Sequence, residues 1–139
     1  FAATADEEQD HYETVVSKLG AHDPSDELPA IQTYLRHREG TVARLGAFVG
    51  RTLAAEKSKE QLTGFFVGQA DPQTAGTFRE MGGDLDTQLA RATSLLADRC
   101  DTEDEWDVAL AAASEAIQAA YEEYTERLEG MGVNPKPVC

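Results

Sequence analysis

Cysteine is nearly absent from this chain: Cys100 and Cys139 are the only two, and the second is the last residue. Thiols so placed exclude a disulfide framework and lack zinc-ligand spacing, so reduced thiols are expected. No run of about 18 apolar residues exists, which leaves no candidate for a membrane-crossing helix. The first residues show neither the basic nor the apolar region of a signal peptide, so a soluble protein of the cytoplasm is expected. No stretch alternates in the β manner, and without strands there is no phosphate loop of the strand-to-helix kind. Isoleucine occurs only twice against 21 alanines, which excludes a core of bulky aliphatics and calls for small residues in close contact.

Bases are also few. Twelve Lys and Arg stand against 26 Asp and Glu, a formal charge of −14 on 139 residues. Self-repulsion of that size destabilises a compact state in dilute buffer, but molar salt shortens the Debye length to about 3 Å and screens it. A halophilic protein is therefore expected. Disorder, the other reading of an acidic chain, does not fit apolar residues that recur at helical spacing. The length suits one domain that buries roughly two thirds of its unfolded surface. The chain opens on Phe1 and not Met, so further sequence upstream is expected.

What is present is helical periodicity, in about five segments. Thr4-x-x-Glu7 has the form of a capping box, and Ala5, Glu8, Tyr12, Val15 and Leu19 follow as one stripe, giving a helix over about 4–19. Leu28, Ile31 and Leu35 mark a short helix with Pro29 in its first turn, ending before Gly40. From Thr41 to about Gly68 a long helix carries Val42, Leu45, Val49, Leu53 and Val67 on one face. Gly46, Gly50 and Ala54 run beside that face, as do Gly64 and Gly68, and would let another backbone approach closely. Asp71-Pro72 opens a helix over about 72–99 with Phe78, Leu85, Leu89, Ala92 and Leu96 in register, and Gly82-Gly83 is a candidate kink. Thr102-x-x-Glu105 repeats the capping-box pattern, and Trp106, Leu110, Ala113, Ile117, Tyr121, Tyr124 and Leu128 continue to Gly130. The fold class is all-α: an antiparallel helical bundle over 1–130, with 131–139 as an extended tail.

Candidate chemistry rests on acids in apolar stripes. Glu8 falls within the first stripe and Glu56 within that of the long helix, with Glu60 close by. Glu8-x-x-His11 sets a carboxylate and an imidazole three residues apart, the spacing used in carboxylate-bridged di-iron bundles. Glu8, His11, Glu56 and Glu60 are thus the candidate metal ligands, for iron or another divalent ion. The later helices carry no second Glu-x-x-His and no inward acid, and Glu115 points away from its stripe. Without that complement, Glu8 reads as an acid near a helix N-terminus, and Glu56 and Glu60 as partners of nearby Lys or Arg. His22 and His37 lie in or beside loops without a nucleophile in triad context, so catalysis is not indicated. Arg36, Arg38, Arg44 and Arg51 gather into a local basic patch that could meet nucleic acid or an acidic partner. Phosphate contacts weaken steeply in salt, and pairing with surplus acids is the commoner fate.

Phe1-Ala-Ala-Thr-Ala-Asp-Glu-Glu-Gln-Asp-His-Tyr12 and the closing Gly130-Met-Gly-Val-Asn-Pro-Lys-Pro-Val-Cys139 resemble a family of haloarchaeal proteins described as rubrerythrin-like or ferritin-like. Some of its members carry the label transcription antitermination protein. The resemblance runs the length of the chain and implies a ferritin-like bundle with further helices upstream of Phe1. It carries over Glu8 and His11 as ligand positions and Glu56 more loosely, while the missing second Glu-x-x-His departs from true di-iron bundles.

Three readings follow. The first is a ferritin-like bundle, non-catalytic or with a vestigial metal site, that acts in regulation through a protein partner or as a homo-oligomer. The second is a rubrerythrin-like metal or redox protein using Glu8, His11 and Glu56; the third is a nucleic-acid-associated transcription regulator using the arginine patch. For all three, dialysis into low salt is expected to abolish cooperative structure, as followed by circular dichroism. An unchanged melting temperature would contradict the halophilic reading.

Overall fold

The computed structural model describes residues 1–135, and these form five helices and no strand. In chain order they are α1 (Ala2–Ser17), α2 (Ala30–Arg36), α3 (Thr41–Gly68), α4 (Pro72–Ala97) and α5 (Glu103–Gly130). The all-α bundle expected from periodicity is thus what the chain forms. Beyond Gly130 a turn leads to residues without regular structure up to Pro135; the rest of the expected tail, with Cys139, lies outside the described residues.

Local sequence sets most of the boundaries. At α4 the Asp71 carboxylate accepts the Thr74 N–H at 3.0 Å with Pro72 in the first turn, where its missing donor costs nothing. At α5 the capping box is complete: Thr102 Oγ1 accepts from the Glu105 N–H, and the Glu105 carboxylate accepts from the Thr102 N–H. Before α3 the chain turns at Gly40, whose φ of 78° lies in the left-handed region. The expected kink in α4 is absent, for the helix runs unbroken through Gly82 and Gly83.

Two expectations for α1 fail together. The helix starts at Ala2, so Thr4 lies inside it, buried, and caps nothing. Glu7 turns instead to Arg91. The inward face is Thr4, Glu8, His11 and Val15, while Ala5, Tyr12 and Leu19 from the expected stripe are exposed. Polar partners on α4, rather than apolar burial, decide which side of α1 faces in.

α3 is the centre of the molecule and packs along its whole length against both α4 and α5. α4 runs antiparallel to it, as Leu45 beside Leu96 at one end and Phe66 stacked on Phe78 at the other require. α5 runs parallel to it on the far side, with Gly46 against Ala109 and Gly50 against Ala113. On a 3.6-residue wheel the α4 and α5 faces of α3 are almost opposite, so the three long helices form one layer. α1 and α2 lie on the same side of that layer. α1 bonds α4 through Glu7, Glu8 and His11, and α2 bonds α5 through the Tyr34 hydroxyl, which donates to the Ala112 carbonyl at 3.1 Å.

Two apolar clusters mark the two faces. Ala47, Ala112 and Ala116 sit beneath α2 with Tyr34, Leu35 and Ala43. Leu45, Leu96, Cys100 and Ala109 lie on the other side, with Val42 and Val49 half-buried against them. No further helix of the described chain packs on that second side of the layer.

The α3–α5 seam has no room for a side chain on α3. A methyl group at Gly46 would collide with the Ala109 carbonyl oxygen, and one at Gly50 with that of Ala113. Both obstacles are helix backbone and cannot swing aside. Gly64 and Gly68, spaced in the same way, face open space, so only the first pair fulfils the expected close approach. Gly46→Ala and Gly50→Ala are each expected to destabilise by about 1–3 kcal/mol through overpacking. Gly64→Ala should gain up to ~1 kcal/mol from helix propensity, and chemical denaturation of the three variants checks the contrast.

Candidate functional site

The four expected metal ligands do not come together. Glu8 and His11 lie between α1 and α4, whereas Glu60 is exposed and pairs with Lys57 at 2.8 Å. Glu56 is half-buried in an open groove between α3 and α4, beside Lys59, Thr63, Phe78 and Gly82, without a hydrogen bond or ion pair among the described residues. Among the described residues no three His, Cys, Asp or Glu side chains converge as a metal site would require.

Glu8 and His11 instead belong to a polar cluster drawn from three helices. α1 supplies Glu7, Glu8 and His11; α4 supplies Asp84, Gln88 and Arg91, successive positions on one of its sides; α3 supplies Arg51. Arg51 Nη2 lies 2.9 Å from Glu8 Oε2, and its Nη1 donates to Gln88 Oε1 at 3.1 Å. Gln88 is completely buried, and its Nε2 donates back to Glu8 Oε1 at 3.3 Å. A closed ring of charge-assisted bonds joins the three helices, and these bonds offset the partial desolvation of the half-buried Arg51–Glu8 pair. Beside it Arg91 Nη2 donates to Glu7 Oε1 at 2.8 Å, and His11 Nε2 lies 2.9 Å from Asp84 Oδ2. Nε2 carries the proton in that bond, because a carboxylate only accepts.

This donor set does not fit iron or another divalent ion. A guanidinium already holds both Glu8 oxygens, directly or through Gln88, and brings a positive charge to the place an ion would take. His11 has only Nδ1 left, and the nearest carboxylate oxygen, on Glu8, is 3.8 Å away. Burial alone would raise the Glu8 pKa, but the charge and hydrogen bond of Arg51, with help from Gln88 and His11, bring it below the ordinary value. Desolvation lowers the pKa of the neighbouring Lys59, with Glu8 opposing the shift and Arg51 adding to it.

The arginine patch is only half free. Arg51 belongs to the ring, and Arg38 lies over the Tyr34 ring at 4.2 Å and reaches Glu115 at 3.5 Å. Arg36 and Arg44 remain exposed beside an open cleft lined by Phe1, Leu35 and Phe48, although Arg44 Nε donates to the Arg38 carbonyl at 2.9 Å. Tyr34 is itself held above the ordinary tyrosine pKa by desolvation and by its bond to Glu115. Cys100 is a buried free thiol, and desolvation raises its pKa, with Glu105 and Asp101 adding to the shift. His22 and His37 are exposed.

The feature that periodicity misplaced is the apolar stripe of α5. The residues that α5 buries are Ala109, Ala112 and Ala116. Trp106, Leu110, Ile117, Tyr121 and Tyr124, five of the six large members of the expected core stripe, are 38–66 % exposed, and the sixth, Leu128, is half-buried. They lie about a quarter turn from the buried alanines, on the uncovered side of the layer. The alanines at 109, 112 and 116 were a second periodic series in the same helix, and the glycines of α3 select it.

The pH dependence of the ring has a definite sign. A carboxylate with a depressed folded pKa contributes stability that is complete above its unfolded value, near 4.5 for glutamate, and is lost as pH falls through the folded value. Glu8→Gln should therefore lower the melting temperature at neutral pH and flatten its decline below about pH 4.5. Thermal melts of both proteins across that range check the expectation; parallel curves would remove Glu8 from the acid response.

No family model, curated protein or solved structure matches this chain.

Proposed function

We propose that this protein acts through contact with another macromolecule, as a helical interaction module, and not through chemistry at its polar cluster. One observation carries the reading. Five large apolar side chains of α5 stand in a row on a face where no further helix of the described chain packs. Isolated exposed apolar residues are ordinary, but a contiguous aromatic and aliphatic row on a protein this acidic is the composition of an interface core. The polar cluster supports the same reading from the other side, because its charges are already paired with one another and serve to hold α1 on α4.

A regulatory role in a salt-rich cytoplasm is the setting proposed for such a module. The rubrerythrin-like alternative has less support: a ferritin-like bundle closes its core with four long helices, whereas three lie in one layer here. The nucleic-acid alternative retains only Arg36 and Arg44 as exposed members of its patch.

Leu110→Glu tests the proposal without disturbing the fold, since Leu110 is 66 % exposed. Protein immobilised in molar salt is expected to retain a partner, its own copies included, in stoichiometric amount, and Leu110→Glu should lose it with an unchanged circular dichroism spectrum. Retention insensitive to the substitution, or no retention at all, would refute the reading. Stoichiometric iron, manganese or zinc in the purified protein, with redox activity in isolation, would favour the metal alternative.

A further inference from the structure

We propose that the partner is a second copy of this chain, docked so that α5 of each copy packs antiparallel on α5 of the other across a two-fold axis. The inference rests on the interaction reading above and names its occupant. Three observations lead to it.

The first is the order of residues along the uncovered row. Trp106, Leu110, Ile117 and Tyr124 of the row, together with the half-buried Ala113 and Ala120 on its α3 edge, follow at alternating steps of four and three, which is the spacing of a coiled-coil seam. Reversed against itself about a point midway between Ala113 and Ile117, the row sets Leu110 opposite Ala120 and Ile117 opposite Ala113. Trp106 then meets Tyr124. Every aliphatic faces a small residue and the two aromatics face each other, so the row is its own complement when antiparallel. A parallel pairing would set like on like, with Ala113 and Ala120 each facing themselves across a gap. An isologous two-fold contact needs this self-complementarity, whereas a different partner does not.

The second is the distribution of charge around α5. On the outer rim of the row stand Glu103, Asp107, Ser114, Gln118, Tyr121 and Thr125, with two acids among them, both at its N-terminal end. Asp104, Glu115, Glu122, Glu126 and Glu129 collect on the side of the helix turned away from the row. Two copies that each carry −14 could approach only along a face poor in acids, and along α5 the row and its outer edge carry none beyond Glu103 and Asp107. A basic partner would call for the opposite, an acidic rim beside the apolar row.

The third is area. Side chains of this size bury roughly 150–250 Å² when fully enclosed. Five of them at 38–66 % exposure leave about 500 Å² per copy to be covered. The half-buried Val42, Val49 and Leu53 of α3 border the row on the same face and bring the total towards the ~800 Å² per partner of a stable interface. Pairing of two such layers would close each open face with the other and complete a two-layer domain.

Sedimentation equilibrium of the whole chain in molar KCl tests the proposal, with the emission of Trp106, the single tryptophan, recorded alongside. The expected result is a mass twice that of the chain, falling towards the monomer on dilution as the emission moves to longer wavelength. Ile117→Glu should be monomeric at every concentration with unchanged helicity, because Ile117 is already 39 % exposed in the single copy. Leu110→Ala should weaken the dimer, and adding Ala120→Leu, which exchanges large for small across the two-fold, should restore it. A parent protein that is monomeric throughout, or an Ile117→Glu variant that remains dimeric, would overturn the proposal; failure of the exchange to restore association would overturn the antiparallel register. If the parent is monomeric yet still retains another protein in a Leu110-dependent way, the second copy is wrong and the interaction reading stands. If it does neither, both fall.

Discussion

The contact between the Gly46 and Gly50 backbone of α3 and the Ala109 and Ala113 backbone of α5 governs the rest of the molecule. Two helices can come this close only where one has no Cβ in the way, and the two glycines, four residues apart, supply that gap on one side of α3. The choice of seam rotates α5. Its alanines turn inward, and its tryptophan, leucine, isoleucine and tyrosines turn outward because they cannot fit a gap of that width. The open apolar face is thus a consequence of how the inner seam is packed.

The polar ring has the complementary task. α1 carries few apolar residues on its inward side, and what holds it to α4 is the set of bonds from Glu7, Glu8 and His11 to Arg91, Gln88 and Asp84. A half-buried ion pair of this sort adds little net stability compared with apolar packing, but it is demanding about geometry. Glu8 meets Arg51 and Gln88 together in only one register of α1, so the ring fixes where that helix lies. Spacing that resembles a metal motif in the sequence is accounted for by this positional role.

The helices themselves were legible in the sequence because their signals are local. Asp71-Pro72, Thr102 with Glu105 and the glycine before Thr41 each act within a turn of the boundary they set, and the boundaries of α3, α4 and α5 fall where those residues put them. What could not be read locally was which of two competing faces a helix would bury. α5 carries a row of large apolar residues and a row of alanines, and only the shape of α3 decides between them. α1 was misassigned for the same reason: Glu7 and His11 turn towards α4 because of partners 84 and 73 residues away in the chain, which no local pattern records. The close approach at Gly46 and Gly50 was visible as spacing, but Gly64 and Gly68 have the same spacing and no neighbour. Spacing alone therefore shows where a second backbone can fit, and only the tertiary arrangement shows where one does.

A seam built of alanine and glycine also shapes how the molecule responds to temperature. Such a contact gains its cohesion from many close atoms and removes rather little apolar area from water. Unfolding then hydrates less apolar surface per residue than the usual core would release, and the heat-capacity increment falls below the common ~12–15 cal/mol/K per residue. Its stability curve is broad and shallow, with cold denaturation pushed further from the working range.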